Sequence, residues 1–325
     1  MSSESKPVTL SLVAPVYNEE DSIGLFLDRL DAVFAAHPEI RLEVVFVNDG
    51  STDATLARLL EAQAADERLR VVDLSRNFGK EAALTAGLHA ARGDVVVPID
   101  VDLQDPPELI LQMLAKWREG YEVVLGHRID RRSDVWAKRT SANWFYRLHN
   151  RIATPKLPEN VGDFRLMDRQ VVEALKTLPE SCRFMKGVFA WVGFRTATVD
   201  YVRPERAAGT TKFNSWKLWN FALEGVTSFS TDPLRIWTYL GFIVSCLSFI
   251  VGLIIALRVV LFGADAPGYA SIMVSVTFLG GLQLIGIGVI GEYLGRTYLE
   301  SKRRPIYIVR RVYEADAALQ RGEGA

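Results

Sequence analysis

The sequence predicts an α/β protein with a doubly wound, mostly parallel sheet, followed by a hairpin of two transmembrane helices. Short apolar segments rich in β-branched residues alternate with amphipathic segments up to about residue 128. Such alternation favours a parallel sheet with helices on both faces. Two apolar runs near the C-terminus, 236–262 and 270–294, each exceed the roughly 20 residues that cross a bilayer as a helix. The chain therefore combines a soluble domain with a membrane part.

Five strands are expected in the soluble domain. The pattern predicts them over 8–14, 42–47, 69–74, 95–99 and 121–125, with helices over about 21–34, after Ser51 or Asp53 as a cap, over about 80–91, and from Pro106-Pro107 onward. A further strand over 306–309 could pair within the chain or between subunits. The polar residues 1–6 lack the basic and apolar pattern of a signal peptide, so we expect the soluble part not to be exported.

Acidic residues follow several of these strands. Asp100 and Asp102 leave the carboxyl end of the fourth strand, and Glu19 and Asp49 follow the first and second. Ligands bind at this edge of open α/β sheets. Carboxylates there suit a hard cation that shares its remaining sites with phosphate oxygens. For an isolated Asp-x-Asp, a solvated acidic turn is the simpler interpretation, and the flanking sequence decides against it.

Composition and motifs exclude several other classes. The first strand lacks a Gly-x-Gly-x-x-Gly fingerprint, and no Walker-type Gly-Lys-Ser/Thr follows, which argues against a dinucleotide-binding dehydrogenase and a P-loop enzyme. The formal net charge is −1, so no global field favours nucleic acid. The two cysteines, Cys182 and Cys246, are far apart and form neither a disulfide framework nor metal-ligand spacing.

Four motifs in order resemble those of family-2 inverting glycosyltransferases with a GT-A fold. They are Ala-Pro-Val-Tyr-Asn-Glu-Glu at 14–20, Val-Asn-Asp-Gly-Ser at 47–51, Asn-Phe-Gly-Lys at 77–80 with Ala-Gly at 86–87, and Asp-Val-Asp-Leu-Gln-Asp-Pro-Pro at 100–107. Within that family the chain is most similar to the polyprenyl-phosphate glycosyltransferases, which include bactoprenol glucosyltransferases and dolichyl-phosphate mannose synthases. Asn48 stands where the second motif of this family usually has Asp, whereas the Asp that follows it, Asp49, is present.

The resemblance implies roles for individual residues on the donor side. Asp102, with Asp100, would bind Mg²⁺ or Mn²⁺, which sites of hard oxygen ligands accept alike. Asp100 would also hold the diphosphate region. The residues implied in binding the nucleotide sugar are Pro15, Tyr17, Glu19, Asp49, Lys80, Asp100 and Gln104. Loop packing is the alternative for Pro15 and Tyr17, a capping turn for Asp49, and a solvated helix start for Lys80.

The middle of the chain is expected to serve the acceptor. Basic and aromatic residues alternate over 128–151, which fits a helix at the headgroups of anionic lipid better than a nucleic-acid surface. Asp163 lies in a Gly-Asp-Phe-Arg segment like that of bactoprenol glucosyltransferases, where the resemblance casts it as the catalytic base. Because a phosphate monoester is largely dianionic above its second pKa of about 6, we expect Asp163 mainly to orient the acceptor or a sugar hydroxyl. The candidates for binding the lipid phosphate are Arg128, Arg131, Arg206 and Lys212.

The predicted domain organisation follows from these segments. It comprises a cytoplasmic catalytic domain over 1–210, an interfacial helix over 211–232, two transmembrane helices within 233–297, and a basic cytoplasmic tail over 298–325. Basic residues precede the first span and follow the second, whereas the turn between them carries only Asp265. The positive-inside rule therefore places both ends in the cytoplasm, at the inner membrane of a bacterium. A Gly291-x-x-x-Gly295 pair permits close helix contact, and the resemblance implies a homo-oligomer, with a tetramer expected.

The predicted reaction is inverting transfer of a sugar from a nucleotide sugar, UDP-glucose favoured, to undecaprenyl or another polyprenyl phosphate. GDP-mannose or a UDP-amino sugar remain alternative donors, because donor choice depends on pocket shape. A processive polysaccharide synthase would need more spans and a Gln-x-x-Arg-Trp signature, which is absent. A non-catalytic partner of a lipid-sugar flippase is the alternative from another class, and intact Asp100 and Asp102 argue against it.

Overall fold

The computed structural model describes residues 7–129, 161–180, 183, 185–202, 232–262 and 268–314. The described part of the soluble domain contains one sheet flanked by helices. Its strands are β1 (Val8–Val16), β2 (Ile40–Asn48), β3 (Leu69–Leu74), β4 (Val95–Pro98), β5 (Val123–Arg128), β6 (Val161–Asp168), β7 (Thr196–Tyr201) and β8 (Val309–Tyr313). Its helices are α1 (Ser22–Phe34), α2 (Thr55–Ala65), α3 (Lys80–Ala90), α4 (Leu109–Arg118), α5 (Arg169–Lys176) and α6 (Met185–Trp191).

The sheet is mixed, with the strand order β7-β5-β6-β4-β1-β2-β3-β8. The central strands β4, β1, β2 and β3 are parallel, as the alternation of strands and helices predicts. Strand β6 runs antiparallel between β4 and β5, and β8 runs antiparallel along β3. Strands β5 and β7 are parallel to each other. The parallel prediction is therefore correct for the centre of the sheet and incomplete at both of its sides.

Apolar side chains cover both faces of the sheet. On one face, the core contains buried residues of α1, α2 and α4, including Phe26, Leu59 and Ile110. On the other, it contains residues of α3, α5 and α6, including Leu84 and Val172. The central strands β1 and β2 are buried almost along their whole length, which explains their continuous apolar runs. Helices on both faces confirm the doubly wound prediction.

Two boundaries differ from the sequence-based prediction. The fifth strand is Val123–Arg128, two residues later than predicted at its start, because Val123 to Leu125 pair with both β6 and β7. The C-terminal strand is Val309–Tyr313, rather than 306–309, and it pairs with β3 of the same chain. The segments β6, α5, α6 and β7 were not predicted as elements.

Two long helices lie between β7 and β8 in the chain: α7 (Asp232–Phe262) and α8 (Tyr269–Ser301). Pro233 lies in the first turn of α7, where its missing N–H costs no helical hydrogen bond. Among the described residues, one segment, Phe278–Ser301, is long and apolar enough to cross a membrane, and Tyr239–Val251 is a shorter apolar segment. This finding favours membrane association. The predicted interfacial helix over 211–232 lies outside the described residues, apart from Asp232.

Candidate active site

The acidic motif after β4 lies at the carboxyl edge of the parallel strands. Leu103 within it adopts a left-handed φ of 57°, which an L-residue adopts only under local constraint. The Gln104 N–H donates to the Asp102 carboxylate at 3.1 Å. The Gln104 Oε1 atom is buried and has no hydrogen-bond partner among the described residues. The turn thus brings two carboxylates and an amide oxygen, all hard oxygen ligands, to one short loop.

These oxygens fit a divalent cation that takes its other ligands from a substrate. Among the described residues, no group of three or more His, Cys, Asp or Glu side chains could hold a metal by itself. Mg²⁺ typically binds through one or two carboxylates together with substrate phosphates, so Asp100, Asp102 and the unsatisfied Gln104 oxygen suit that mode. In the predicted pairing of metal and diphosphate, substrate phosphate oxygens would supply the remaining ligands.

Lys80 joins this loop to Asp163. Its Nζ atom donates to both carboxylate oxygens of Asp100, at 2.7 and 2.8 Å, and lies 3.6 Å from Asp163 Oδ2. Burial alone would lower the pKa of the Lys80 ammonium, but the two carboxylates outweigh it and raise that pKa above its ordinary value. Lys80 is therefore charged, and its half-exposed side chain is held in ion pairs with Asp100 and Asp163.

Asp49 supports the loop that carries Lys80. Its carboxylate oxygens accept the backbone N–H groups of Phe78, at 2.7 Å, and Gly79, at 3.0 Å. Burial raises the pKa of Asp49, against the opposing effect of these two hydrogen bonds. Gly79 immediately precedes α3 and has a φ of 98°. Asp49 therefore fixes the entry of α3, and its contact with nucleotide stays a prediction.

The loops after β1 and β2 are joined by hydrogen bonds. The Asn18 N–H donates to Ser51 Oγ at 3.1 Å, and the Thr52 N–H donates to Asn18 Oδ1 at 2.9 Å. Asp53, rather than Ser51, accepts an N–H of the first turn of α2, that of Thr55.

The predicted donor-side residues of the first motif lie on or beside this pair of loops. Pro15 belongs to β1, and the Glu19 N–H donates to Thr55 Oγ1 at 2.9 Å. Tyr17 is 40% exposed beside them.

Asp163 lies on β6 among cations. Its Oδ1 atom is buried and has no hydrogen-bond partner among the described residues. Burial would raise the pKa of Asp163, but nearby cations outweigh that effect and lower it. In order of their effect, these cations are Lys80, Lys186, Arg165 and Arg128. Asp163 is therefore ionised at neutral pH, with one acceptor oxygen left over.

Arg128 belongs to a network that sequence reasoning missed. Its Nε donates to the Tyr201 hydroxyl at 2.9 Å, and that hydroxyl donates to Asp105 Oδ1 at 2.6 Å. Arg128 and Tyr201 are register partners on the parallel strands β5 and β7. A Cβ at Gly162 would lie 2.6 Å from Arg128 Nη2, so a larger residue there would displace the guanidinium from this position. The network fixes Arg128 next to Asp163.

Other charged residues of the site also escaped the sequence analysis. Arg165 is buried, stacks on the Phe189 ring at 4.1 Å and has its pKa lowered by burial to about 10. Burial, reinforced by Asp163, raises the pKa of Glu81 to about 8, and the Met185 N–H donates to Glu81. Asp105 and Arg165 had a signal, as the third carboxylate of the acidic motif and as the arginine of the Gly-Asp-Phe-Arg segment. Tyr201, Lys186 and Glu81 had none, because packing of distant segments brings them together.

Three predicted phosphate ligands, Arg131, Arg206 and Lys212, lie outside the described residues. Arg128 is described, and it ends β5 rather than belonging to the predicted basic helix. A cavity of about 640 Å³ lies at the opposite, amino-terminal edge of the parallel strands and contains none of the predicted site residues. Its charged side chains largely pair with one another, as Lys176 does with Glu173 and Arg92 with Glu314.

Comparison with known proteins agrees with this geometry. The model of glycosyl transferase family 2 matches residues 11–176. The chain is 54% identical to a prophage bactoprenol glucosyl transferase homolog of Escherichia coli, over 93% of this chain and 99% of that protein. It is 52% identical to a prophage-derived bactoprenol glucosyl transferase of Shigella flexneri, over 94% and 99% of the two chains.

Solved structures resemble the chain more distantly. Glucosyl-3-phosphoglycerate synthase from Mycobacterium tuberculosis, in complex with Mn²⁺, UDP and phosphoglyceric acid, matches with a TM-score of 0.49 and 22% identity. That match covers 68% of this chain and 76% of the other. The family match, together with the mixed sheet flanked by helices, confirms the predicted GT-A fold.

Proposed function

The chain belongs to glycosyl transferase family 2 and is a glycosyltransferase, and from that premise we propose that it transfers glucose from UDP-glucose to a polyprenyl phosphate with inversion. One observation carries the proposal beyond the family. Lys80 contacts Asp100 of the acidic loop and lies 3.6 Å from Asp163, so it joins the carboxylate proposed for the donor to the one proposed for the acceptor. The relatives named bactoprenol glucosyl transferase support this choice of substrates over nearly the whole chain.

The proposed reaction is a single displacement. A phosphate oxygen of the lipid attacks the anomeric carbon, the bond from that carbon to the diphosphate oxygen breaks, and its electron pair leaves with UDP. A divalent cation, Mg²⁺ or Mn²⁺, held by Asp102, Asp100 and the Gln104 oxygen would neutralise charge that develops on the diphosphate. Lys80 lies beside Asp100, where its ammonium would stabilise the same charge.

The acceptor phosphate brings two negative charges to the side of Asp163. Lys80, Lys186 and Arg128 act on Asp163 as cations and would attract and orient that phosphate. A carboxylate whose pKa is lowered is a weak base, and a dianionic phosphate has no proton to lose. We therefore assign Asp163 to positioning. Its unpaired Oδ1 can accept a hydrogen bond from a hydroxyl of the donor sugar, whereas the dianion has no hydrogen to offer.

The C-terminal helices provide the proposed link to the lipid. We assign α7 and α8 as a two-span hairpin with the catalytic domain and both ends in the cytoplasm of a bacterial cell. The charges support this orientation, since Arg235 precedes α7's apolar part and Arg296, Lys302, Arg303 and Arg304 end α8 or follow it, against Asp265 between the helices. A homo-oligomer, expected from the family resemblance, is part of the proposal.

The test is a transfer assay with purified full-length protein in detergent. The protein is incubated with undecaprenyl phosphate, Mg²⁺ or Mn²⁺ and, separately, labelled UDP-glucose, UDP-N-acetylglucosamine, UDP-galactose and GDP-mannose. We expect label to enter the lipid phase from UDP-glucose, and Asp102→Ala to reduce this transfer at least about 100-fold.

The matched control is Asp31→Ala, which removes a surface carboxylate that pairs with Arg68 and should leave transfer unchanged. If label entered the lipid phase only from another sugar nucleotide, that nucleotide would replace UDP-glucose as the proposed donor. Binding of nucleotide without transfer from any donor would contradict the reaction itself.

A further inference from the structure

The strand that follows the candidate membrane helix pairs with the catalytic sheet. Residues 302–308 are all that separate the end of α8 at Ser301 from the start of β8 at Val309. Strand β8 runs antiparallel to β3, and the Ser75 N–H extends this pairing by donating to the Ile308 carbonyl at 2.9 Å. The chain thus returns from its apolar helices directly to the end of β3, where the loop carrying Phe78, Gly79 and Lys80 begins.

A β-bulge in β8 redirects Arg310 toward that loop. Asp73 pairs with Arg311, but Leu74 pairs with Val309, so Arg310 is the extra residue between them. A bulge bends its strand and changes the direction of a side chain. Arg310 Nη2 donates to the Ser75 carbonyl at 2.7 Å, and Arg310 Nη1 lies 3.6 Å from Asp73 Oδ2. Arg310 therefore contacts both Asp73, near the end of β3, and Ser75, the first residue after that strand.

Asp73 connects Arg310 to the second sequence motif, which contains Asn48. The Asp73 side chain is buried, and its Oδ1 accepts a hydrogen bond from Asn48 Nδ2 at 2.8 Å. Asn48 Oδ1 in turn accepts the Ser51 N–H at 3.2 Å. An aspartate at position 48 would set a second carboxylate against Asp73, so the amide at this position suits its neighbour. Arg310 supplies the positive charge on the other side of the buried carboxylate.

The loop between Ser75 and Lys80 is held at both ends. Arg310 holds its start, and Asp49 holds Phe78 and Gly79 near its end. The loop also lies close to Gly50, because a Cβ there would lie 2.5 Å from the Arg76 carbonyl carbon. A shift of the start of this loop would therefore displace both the second motif and the entry to α3.

We propose that Arg310 is a positioning residue of the donor site, and that strand β8 is needed for full donor affinity. The inference rests on the proposed function, because it takes the loops after β2 and β3 as the nucleotide side of the site. Arg310 does not touch the substrate in this proposal; it acts through Ser75, Asp73 and Asn48. The donor site is accordingly completed by the segment that leaves the membrane.

The experiment compares Arg310→Ala with Arg311→Ala in the full-length protein. Arg311 is the neighbouring arginine of the same strand, and its guanidinium lies 4.9 Å from the Tyr313 ring, so it controls for loss of charge from β8. We expect Arg310→Ala to raise KM for UDP-glucose about fivefold with kcat within about twofold, since one exposed charged contact is lost. Arg311→Ala should leave both unchanged. Arg310→Lys should restore part of the affinity, because it keeps the charge beside Asp73.

A second measurement separates this inference from the proposed reaction. Hydrogen–deuterium exchange of the free protein follows the peptide over residues 74–80 without any donor. Arg310→Ala should speed its exchange about fivefold, whereas a peptide over 100–105 should not change. If the wild type transfers no sugar, the exchange result still decides the role of Arg310. Equal behaviour of Arg310→Ala and Arg311→Ala in this peptide would overturn the inference, as would a fall in kcat with KM unchanged.

Discussion

The two halves of the catalytic sheet position their functional groups by different means. In the half that we propose binds the donor, here called the donor half, which comprises β1, β2, β3 and the loops after them, carboxylates and amides bind backbone N–H groups, as Asp49 binds those of Phe78 and Gly79. In the half that we propose binds the acceptor, here called the acceptor half, which comprises β5, β6 and β7, charged side chains bind one another. There Tyr201 bridges Asp105 and Arg128. In the donor half, side chains therefore hold the backbone of the loops in place, which forms a backbone cradle. In the acceptor half, they hold other charged side chains in place.

This difference predicts unequal responses to mutation. A backbone cradle is shared among several hydrogen bonds, so the loss of one contact leaves the others in place. A network of buried charges is more sensitive, since a single lost partner leaves a charge in surroundings of low polarity. Loss of the Asp163 charge in the acceptor half should therefore have a larger effect than the Arg310 substitution in the donor half. The three predictions below test this ranking from its largest expected effect to its smallest.

Asp163→Asn should reduce transfer about 10- to 100-fold, because it removes one hydrogen bond to a charged group. The loss should be the same from about pH 5.5 to about pH 8.5, because a positioning carboxylate whose pKa is lowered stays ionised throughout this range. The measurement is kcat/KM for undecaprenyl phosphate across that range. Asp200→Asn, an exposed carboxylate on β7 that contacts His127, is the control and should be silent.

A different pH dependence would contradict this role of Asp163. If the variant recovered activity as pH rose through the second phosphate pKa of about 6, Asp163 would act as the base for the monoanion. The acceptor half would then take part in proton transfer, and the contrast with the donor half would be chemical as well as structural.

Tyr201→Phe should raise KM for the lipid phosphate about 3- to 10-fold, since it removes one hydroxyl and leaves the ring that packs against Phe164. Arg128 would lose its bond from Nε but keep Asp105 Oδ1 at 3.6 Å, so the effect should be smaller than that at Asp163. Kinetics with varied lipid phosphate and with varied UDP-glucose separate the two halves.

Tyr307→Phe is the matched control for Tyr201→Phe. It removes a tyrosine hydroxyl that contacts His89 Nδ1 at 2.8 Å. An equal rise in KM for both substrates in Tyr201→Phe would mean that the network supports the whole sheet rather than Arg128.

The donor half was predictable because its signals are local in sequence. Each motif directly follows its own strand, and parallel strands bring such ends together at one edge, so Asp49, Lys80 and Asp100 could be assigned to a common site. The contacts of Asp49 were harder to predict, because its carboxylate binds backbone N–H groups that lie 29 and 30 residues away in the sequence.

The acceptor half was less predictable because its contacts are distant in sequence. Tyr201 reaches Asp105 across 96 residues, and β6 lies between β4 and β5 in antiparallel orientation after a long connection. Periodicity identifies an apolar strand but not its neighbour or direction. Asp163 was identified by resemblance alone, and the cations around it depend on pairings that no local pattern records.

Glu81→Gln should leave transfer within about threefold and remove a pH dependence of stability. Burial, with Asp163, raises the pKa of Glu81 to about 8 in the folded protein, against an ordinary value of 4.5. Between these values the folded state retains a proton that the unfolded state releases, so wild-type stability should fall as pH rises through that window and level off above about pH 8. Thermal unfolding at about pH 6 and about pH 8 measures this change of stability with pH, which Glu81→Gln should remove because glutamine stays neutral.

The control is Glu173→Gln, which removes an exposed carboxylate paired with Lys176 and should keep the wild-type dependence of stability on pH. An unchanged dependence of stability on pH in Glu81→Gln would mean that Glu81 is ionised beside Asp163, and the surroundings of Asp163 would then carry one negative charge more than proposed for binding a dianionic phosphate.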